Sequence, residues 1–542
     1  MTTPQLPRSI RRRTLLQAAA VAGAGAGLLG TAGCESAVSQ ARELGKSGDD
    51  QPRRGGRLAA GLAQDVIPAN FFTNTSSITV IIGLAYESLT RYRNDELIPQ
   101  PRLATRWQLA SDGKSIKLWL RKGVKFHNGR EFTSRDVEAS IRTYAAAKWN
   151  GQMRSTAAAV TGFDHLDDHT ITLRFSHPLA NIFDLLDTAP IIDIDSLDQL
   201  ANGEAFIGTG PFKVGKWLPN TSITFDRFDD YWQPNRPYLD GIDARIMKDA
   251  KASLSALRSG QIDLSNNIGS LDLLNLSKRG GFRAVTFDGA EGQFYVGANV
   301  TAKPLDDIRV RQAIAYALDR ERIVHDVLRG SGYPINLPWP KYSPAYDADR
   351  NQTYTRDLDK ARKLIKEVGT LPTIPFNYAS PSPENAAVAA IVQSNLADIG
   401  IKVELIPEEA AQHTKLLIGA QFPGLWFNGH SWAQYVPSTL NVSAYPFNAE
   451  HNASRYRSDR YLADANAAWT LPATNDGTDK ASRTAVARAR TAYDRLSDDL
   501  LSSLFLIEIA VKLNQVAVAN RLQGVDHTKR SELILTDAYL TA

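Results

Sequence analysis

Residues 208–232 constrain the fold more than any other stretch. They begin Gly208-Thr-Gly-Pro-Phe-Lys-Val-Gly-Lys-Trp217 and, past Pro219-Asn220, continue Ile223-Thr-Phe-Asp-Arg-Phe-Asp-Asp-Tyr-Trp232. Gly208 and Gly210 admit backbone angles closed to other residues. Pro211 fixes the entry into a strand. The two runs alternate apolar and polar residues, as half-buried strands do. Pro219-Asn220 supplies the turn between them. The stretch therefore predicts a tight turn feeding a β-hairpin. It is not a phosphate loop, because the Gly-Lys-Ser/Thr ending before a helix is missing.

A chain of 542 residues exceeds one core and predicts two or three domains. At 43% hydrophobic and 22% charged residues the composition is that of a soluble globular protein. The formal charge of +4 comes entirely from Arg8, Arg11, Arg12 and Arg13. Beyond them, 58 basic residues face 58 acidic ones, so nucleic acid is not an expected partner. Cys34 is the sole cysteine, which excludes an internal disulfide or a cysteine metal site.

Residues 1–33 read as a signal peptide, with Arg11-Arg12-Arg13 ahead of an Ala/Gly-rich apolar run. Arg12-Arg13-Thr14-Leu15-Leu16 resembles the twin-arginine export motif, and an ordinary secretory signal is the alternative. Thr31-Ala32-Gly33-Cys34 resembles a lipobox, which makes Cys34 the expected lipidation site. Residues 34–54 lack periodicity and read as a flexible tether.

The folded body is expected to start with a glycine-led strand at residues 55–61. A polar loop follows, carrying Phe71, Phe72 and Asn74. Its paired Phe residues are either ligand contacts or a loop anchor. Residues 78–92 predict a helix. Trp107 to His127 predicts two alternating strands about the Asp112-Gly113 turn. Thr133 and Asp136 form a capping-box pattern at a helix start. His165 and His169 share a helical metal spacing, but Asp167-Asp168 is a turn, so the rings should diverge and bind no metal. A helix at 252–259 closes on Gly260. Pro304 to Asp319 predicts an amphipathic helix with Val310, Ile314, Ala317 and Leu318 on one face and its charges on a solvated one. Residues 386–396 predict a helix ending at Gly400, then a strand. Residues 484–504 predict a helix and 511–518 a strand.

Three of these segments together resemble the family 5 solute-binding proteins of ABC importers, which include dipeptide, oligopeptide and nickel binders. They are the Gly208–Trp232 stretch, the run from Trp107 through Leu120-Arg-Lys-Gly-Val-Lys-Phe-His127 to Val137, and Pro304-Leu-Asp-Asp-Ile-Arg-Val-Arg-Gln-Ala. The resemblance spans roughly residues 55–535. It implies an α/β, two-lobed periplasmic-binding-protein fold (type II, cluster C-like) with a subsidiary domain. Lobe I would comprise 55–88, 207–291 and 500–542. The subsidiary domain would be 89–206 and lobe II 292–499. The implied function is capture of a small solute by hinge closure and delivery to membrane permease subunits. The implied protein is extracytoplasmic, lipid-anchored and monomeric, with no cofactor, metal or catalytic residue.

Residues 425–447 carry the candidate site: Trp426, Asn428, His430, Trp432, Gln434 and Tyr435, joined by Phe72 and Asn74 from the early loop. Peptide-binding members place here an aromatic followed by an Asp that pairs with the peptide α-ammonium. Residues 411–449 contain no acid, and Asp65 is the nearest loop alternative. An unpaired buried ammonium is costly, so the pattern favours a neutral or hydroxyl-rich solute over a free-amine peptide. Any single ring is equally readable as core. Gly429-His430-Ser431-Trp432-Ala433 nearly spells a hydrolase elbow around Ser431, but Ala433 breaks it.

Overall fold

The computed structural model describes residues 51–73, 78, 81–93, 96–149, 151–380, 382–473 and 480–541. The export segment, Cys34, most of the tether and Asn74 lie outside them. From Pro52 onward the chain forms one compact unit. The predicted hairpin is present as strands Phe212–Leu218 and Ser222–Arg227. It forms one edge of a seven-stranded sheet. Across that sheet the strands run 282–286, 515–519, 264–265, 57–62, 241–246, 222–227 and 212–218. Arg57–Leu62 lies inside, parallel to both its neighbours. That position suits its buried Leu58, Ala60 and Leu62.

A second, six-stranded sheet takes the order 332–334, 506–512, 292–298, 425–430, 374–380 and 403–409. A separate four-stranded antiparallel sheet joins 104–109, 115–120, 170–175 and 160–167. Next to it lies the helix Ser134–Ala145, closed by the predicted Thr133/Asp136 capping box. His165 lies on strand Val160–Asp167 and bonds Ser134 and Glu138. His169 stands at the turn beyond that strand. Among the described residues no group of three His, Cys, Asp or Glu side chains could hold a metal.

The chain passes from the first large sheet to the second between Thr286 and Gly292, and returns between Lys512 and Gln515. The return corrects one expectation. Residues 511–518 are not one strand: Leu506–Lys512 pairs with Gly292–Ala298, while Gln515–Ala519 pairs with Phe282–Thr286. Backbone pairing thus places Leu506–Lys512 in the second sheet and Gln515–Ala519 in the first.

Residues 81–92 also differ from expectation. They form turns and a short strand, Thr90–Tyr92, instead of a helix. Their carbonyls are engaged elsewhere. Leu84 accepts from Phe212 N–H, Ala85 from Gly210 N–H and Glu87 from Ile191 N–H. Two glycines allow that approach, since a Cβ on Gly210 would lie 2.5 Å from the Leu84 carbonyl oxygen and one on Gly208 closer still to that of Ala85. Neither glycine has positive φ, so close packing and not backbone angle selects them.

His127 clamps the same turn from the other side. The Gly208 N–H donates to Nδ1 at 3.3 Å, so Nε2 carries the proton and donates to the Gly210 carbonyl at 3.0 Å. Burial pushes the imidazole pKa down to about 4. Tyr231 and Trp232 close the motif. They donate to the buried Glu87 carboxylate at 2.9 and 2.8 Å, and Arg102 donates to it at 2.8 Å.

The helix Ile308–Ala317 buries Val310, Ile314 and Ala317 as expected. Two of the cations in this region are not solvated, however. Arg311 donates to the carbonyls of Ser503 and Leu305, and Arg320, just beyond the helix, to those of Glu508, Ala315 and Tyr354. Both are buried, so they serve as fasteners for unpaired carbonyls.

Candidate functional site

Strand Leu425–His430 runs toward the crossings and ends in the link 431–436 to helix Pro437–Ser443. That link carries Trp432, Gln434 and Tyr435, all buried. Gln434 Nε2 donates to the carbonyl of Glu291 in the first crossing. The Arg530 guanidinium lies 4.5 Å over the Trp432 ring. Tyr435 donates to Asp187 Oδ2 at 3.1 Å and accepts from Thr188 Oγ1 at 3.2 Å. Asp184 accepts from Tyr92 at 2.7 Å, from Thr439 at 2.5 Å and from Val436 N–H at 3.2 Å. A cavity of about 30 Å³, bounded in part by Glu87, Arg102, Asp187, Thr188 and Glu532, adjoins these groups. The helix Ile182–Thr188 therefore interlocks with residues 435–439.

Residues 411–449 carry no acid, but the Asp184 and Asp187 carboxyls bond to Val436, Thr439 and Tyr435, and Glu291 meets Gln434 through its backbone carbonyl. Burial pushes the Asp184 carboxyl up to about 7, against the pull of Thr439 and Tyr92. It likewise pushes Asp187 up, and Glu291 up to about 7. Glu291 Oε2 is buried without a hydrogen-bond partner. Asp65 is committed to structure: it accepts from Trp217 Nε1 at 3.0 Å and from Asn220 N–H at 2.6 Å, fixing the hairpin turn.

Trp426, Asn428 and His430 alternate along their strand and so share one face of the second sheet. The pairing register brings Gln293 opposite His430, and both Asn428 and Glu508 opposite Tyr295. The result is a polar row on a buried sheet face, with Gln293, Tyr295 and Trp426 wholly inaccessible and Glu508 only 2% exposed. Sequence reasoning missed Gln293, Tyr295 and Glu508. A signal was present in Glu508, the lone acid in the apolar run Leu506-Ile-Glu-Ile-Ala-Val.

Phe72 sits apart from both groups. Its ring packs edge-on against Phe71, Tyr144 and Trp149 with centroids 4.7–5.0 Å apart, the loop-anchor alternative of the sequence. Trp426 stacks on Phe422 at 4.7 Å, and both rings are buried. Ser431 lies in the link between His430 and Pro437, after the strand end.

The family description "Bacterial extracellular solute-binding proteins, family 5 Middle" matches residues 99–451. This chain belongs to that family. Family 5 proteins are transport binding proteins and not enzymes, which removes the hydrolase alternative at Ser431. Among curated relatives of this family 5 protein, the oligopeptide-binding protein AppA of Bacillus subtilis is 27% identical over 389 residues, covering 66% of this chain and 70% of the relative. The dipeptide-binding protein of Escherichia coli is 26% identical over 362 residues, covering 61% and 67%. Among solved structures, AgaA of A. tumefaciens R10 in complex with agropinic acid superposes with a TM-score of 0.79 at 23% identity, covering 90% of this chain and 99% of that one. The B. subtilis AppA structure with a nonapeptide gives 0.77 at 22%, covering 91% and 100%. These likenesses establish the two-lobed fold of the family 5 binding proteins.

Proposed function

We propose that the chain is an extracytoplasmic, lipid-anchored binding protein that encloses a small polar solute between its lobes and delivers it to the permease of an ABC importer. The carrying observation is the pair of crossings at 286–292 and 512–515 beside a seam of buried polar groups. Two strand crossings give a hinge, and closure about it buries whatever lies in the seam. The peptide binders among the relatives support a peptide-like solute, and Asp187 and Glu291 supply carboxylates for a ligand ammonium group. Trp432, Gln434 and Tyr435 would form the wall on the second lobe. Lobe limits near 55–88, 207–291 and 500–542, 89–206, and 292–499 belong to the same proposal, with the last boundary moved to the second crossing. Cys34 would carry the lipid, and the chain would act as a monomer without a cofactor.

Native mass spectrometry of chain purified from its own cells tests the capture claim. The expected spectrum shows one small molecule per chain, released on denaturation. A chain that carries none, and whose melting temperature is unmoved by a broad panel of peptides and other solutes, would contradict it.

A further inference from the structure

We infer that the groove between residues 69–73 and the helix Ala410–Ile418 binds a small organic anion, held between Lys148 and Lys415. The inference goes beyond the seam and rests on the binding-protein reading. The groove has a volume of about 510 Å³, the size of small-molecule sites. Lys148, Thr414, Lys415 and Ile418 on its rim are exposed, so a solute reaches it directly from solvent.

Both walls are built before any solute arrives. On the first, the backbone N–H and the hydroxyl of Thr73 both donate to the Asn70 carbonyl, at 3.0 and 2.8 Å. Gln152 Nε2 donates to the Thr73 carbonyl at 3.2 Å. The Phe72 ring meets that of Trp149 edge-on at 4.7 Å, which ties the turn Ala147–Trp149 to the loop. The second wall is one face of the helix. His413 is buried against Phe422, with ring centroids 4.9 Å apart, and Ala411, Thr414, Lys415 and Ile418 are left to the groove. The first wall follows strand Arg57–Leu62 of the seven-stranded sheet, and the second follows strand Val403–Glu409 of the six-stranded one. A solute gripped by both walls therefore bridges attachments of the two large sheets.

The lining selects the chemistry. It includes no carboxylate, and its two charges are Lys148 and Lys415, one from each wall. Among the described residues neither lysine forms a salt bridge. Lys148 Nζ stands 5.4 Å over the Trp149 ring, which keeps that ammonium at the groove. Two cations lining one groove repel each other, and an anion between them turns the repulsion into attraction. A cationic solute would be rejected, and a neutral one would leave both charges unused. The remaining lining asks for a carbon skeleton. Ile418 is 39% exposed and lies beside the Trp149 ring and two alanines, so a bare inorganic anion would leave this apolar surface wet. Asn70 offers further hydrogen bonds to the solute's polar groups.

Calorimetry on the full chain, stripped of solute by unfolding and refolding, tests this with phthalate, phenyl phosphate, inorganic phosphate and sucrose. The first two present the anion as a carboxylate or a phosphate on a ring. The third lacks the skeleton and the fourth the charge. Phthalate or phenyl phosphate should bind, more weakly as salt is added, and Lys148→Met and Lys415→Met should each cost about tenfold or more in affinity. Lys415→Arg should restore most of that loss. Both lysines are exposed, so neither variant should move the urea midpoint. The inference is overturned if neither organic anion binds, if both lysine variants leave their affinity unchanged, or if inorganic phosphate binds as tightly as they do. A solute released from native material whose affinity is indifferent to both lysine variants would also overturn it, while leaving the binding-protein reading intact.

Discussion

Gly210 is held by space and not by angle, which gives a sharp expectation. Gly210→Ala drives a Cβ into the Leu84 carbonyl, and neither backbone can yield without breaking the Phe212–Leu84 hydrogen bond. Urea denaturation should show a loss of about 3 kcal/mol or more, at the severe end for overpacking. His127 makes a second expectation in the same turn. Its folded pKa of about 4 lies below the ordinary value of 6.5. The neutral ring therefore contributes stability fully above pH 6.5, and that contribution is lost as the pH falls toward 4. A thermal-melt series should show this acid limb shrink in His127→Gln, whose amide keeps a donor and an acceptor. At this scale the sequence was legible in part. It marked both glycines and left His127 without chemistry. It could not show why the glycines are needed, because their neighbour in space, Leu84-Ala85, lies over 120 residues away.

At the scale of elements, local signals held and tertiary ones did not. The 133–136 capping box, the 212–227 hairpin and the cap at Gly260 with φ +72° are written within a few residues of sequence. The strap at 81–92 is not, since its carbonyls answer to partners in 191 and 210–212. The split of 511–518 is equally invisible, because an apolar run does not say which sheet it joins. Of the candidate site, Trp426, Asn428 and His430 were named from sequence but not as one strand face, and Asp184 and Asp187 approach from another element entirely. That element carries its own prediction. Asp184 has its folded pKa raised from 3.8 to about 7, so its contribution is complete below pH 3.8 and fades as the pH rises toward 7. Asp184→Asn should flatten that decline in a melt series between pH 4 and 7. An unchanged slope would mean that another group of the seam titrates there. Glu87→Ala should cost about 3–5 kcal/mol, because it strands the buried Arg102 guanidinium together with the Tyr231 and Trp232 donors.

At the scale of the whole molecule, two large sheets joined by two crossings set what the protein can do. Export and anchoring are tested apart from the fold. Cys34→Ala should move the protein from the membrane fraction to the soluble one, and replacing Arg12 and Arg13 by lysine should block export. Retention of the Cys34→Ala chain on membranes would contradict anchoring through Cys34. The central claim is closure on a solute. Small-angle X-ray scattering of the refolded, solute-free chain, before and after adding back the molecule released from native material, tests it most directly. Closure predicts a smaller radius of gyration on addition, saturating at one solute per chain. Tight binding with an unchanged radius would contradict it.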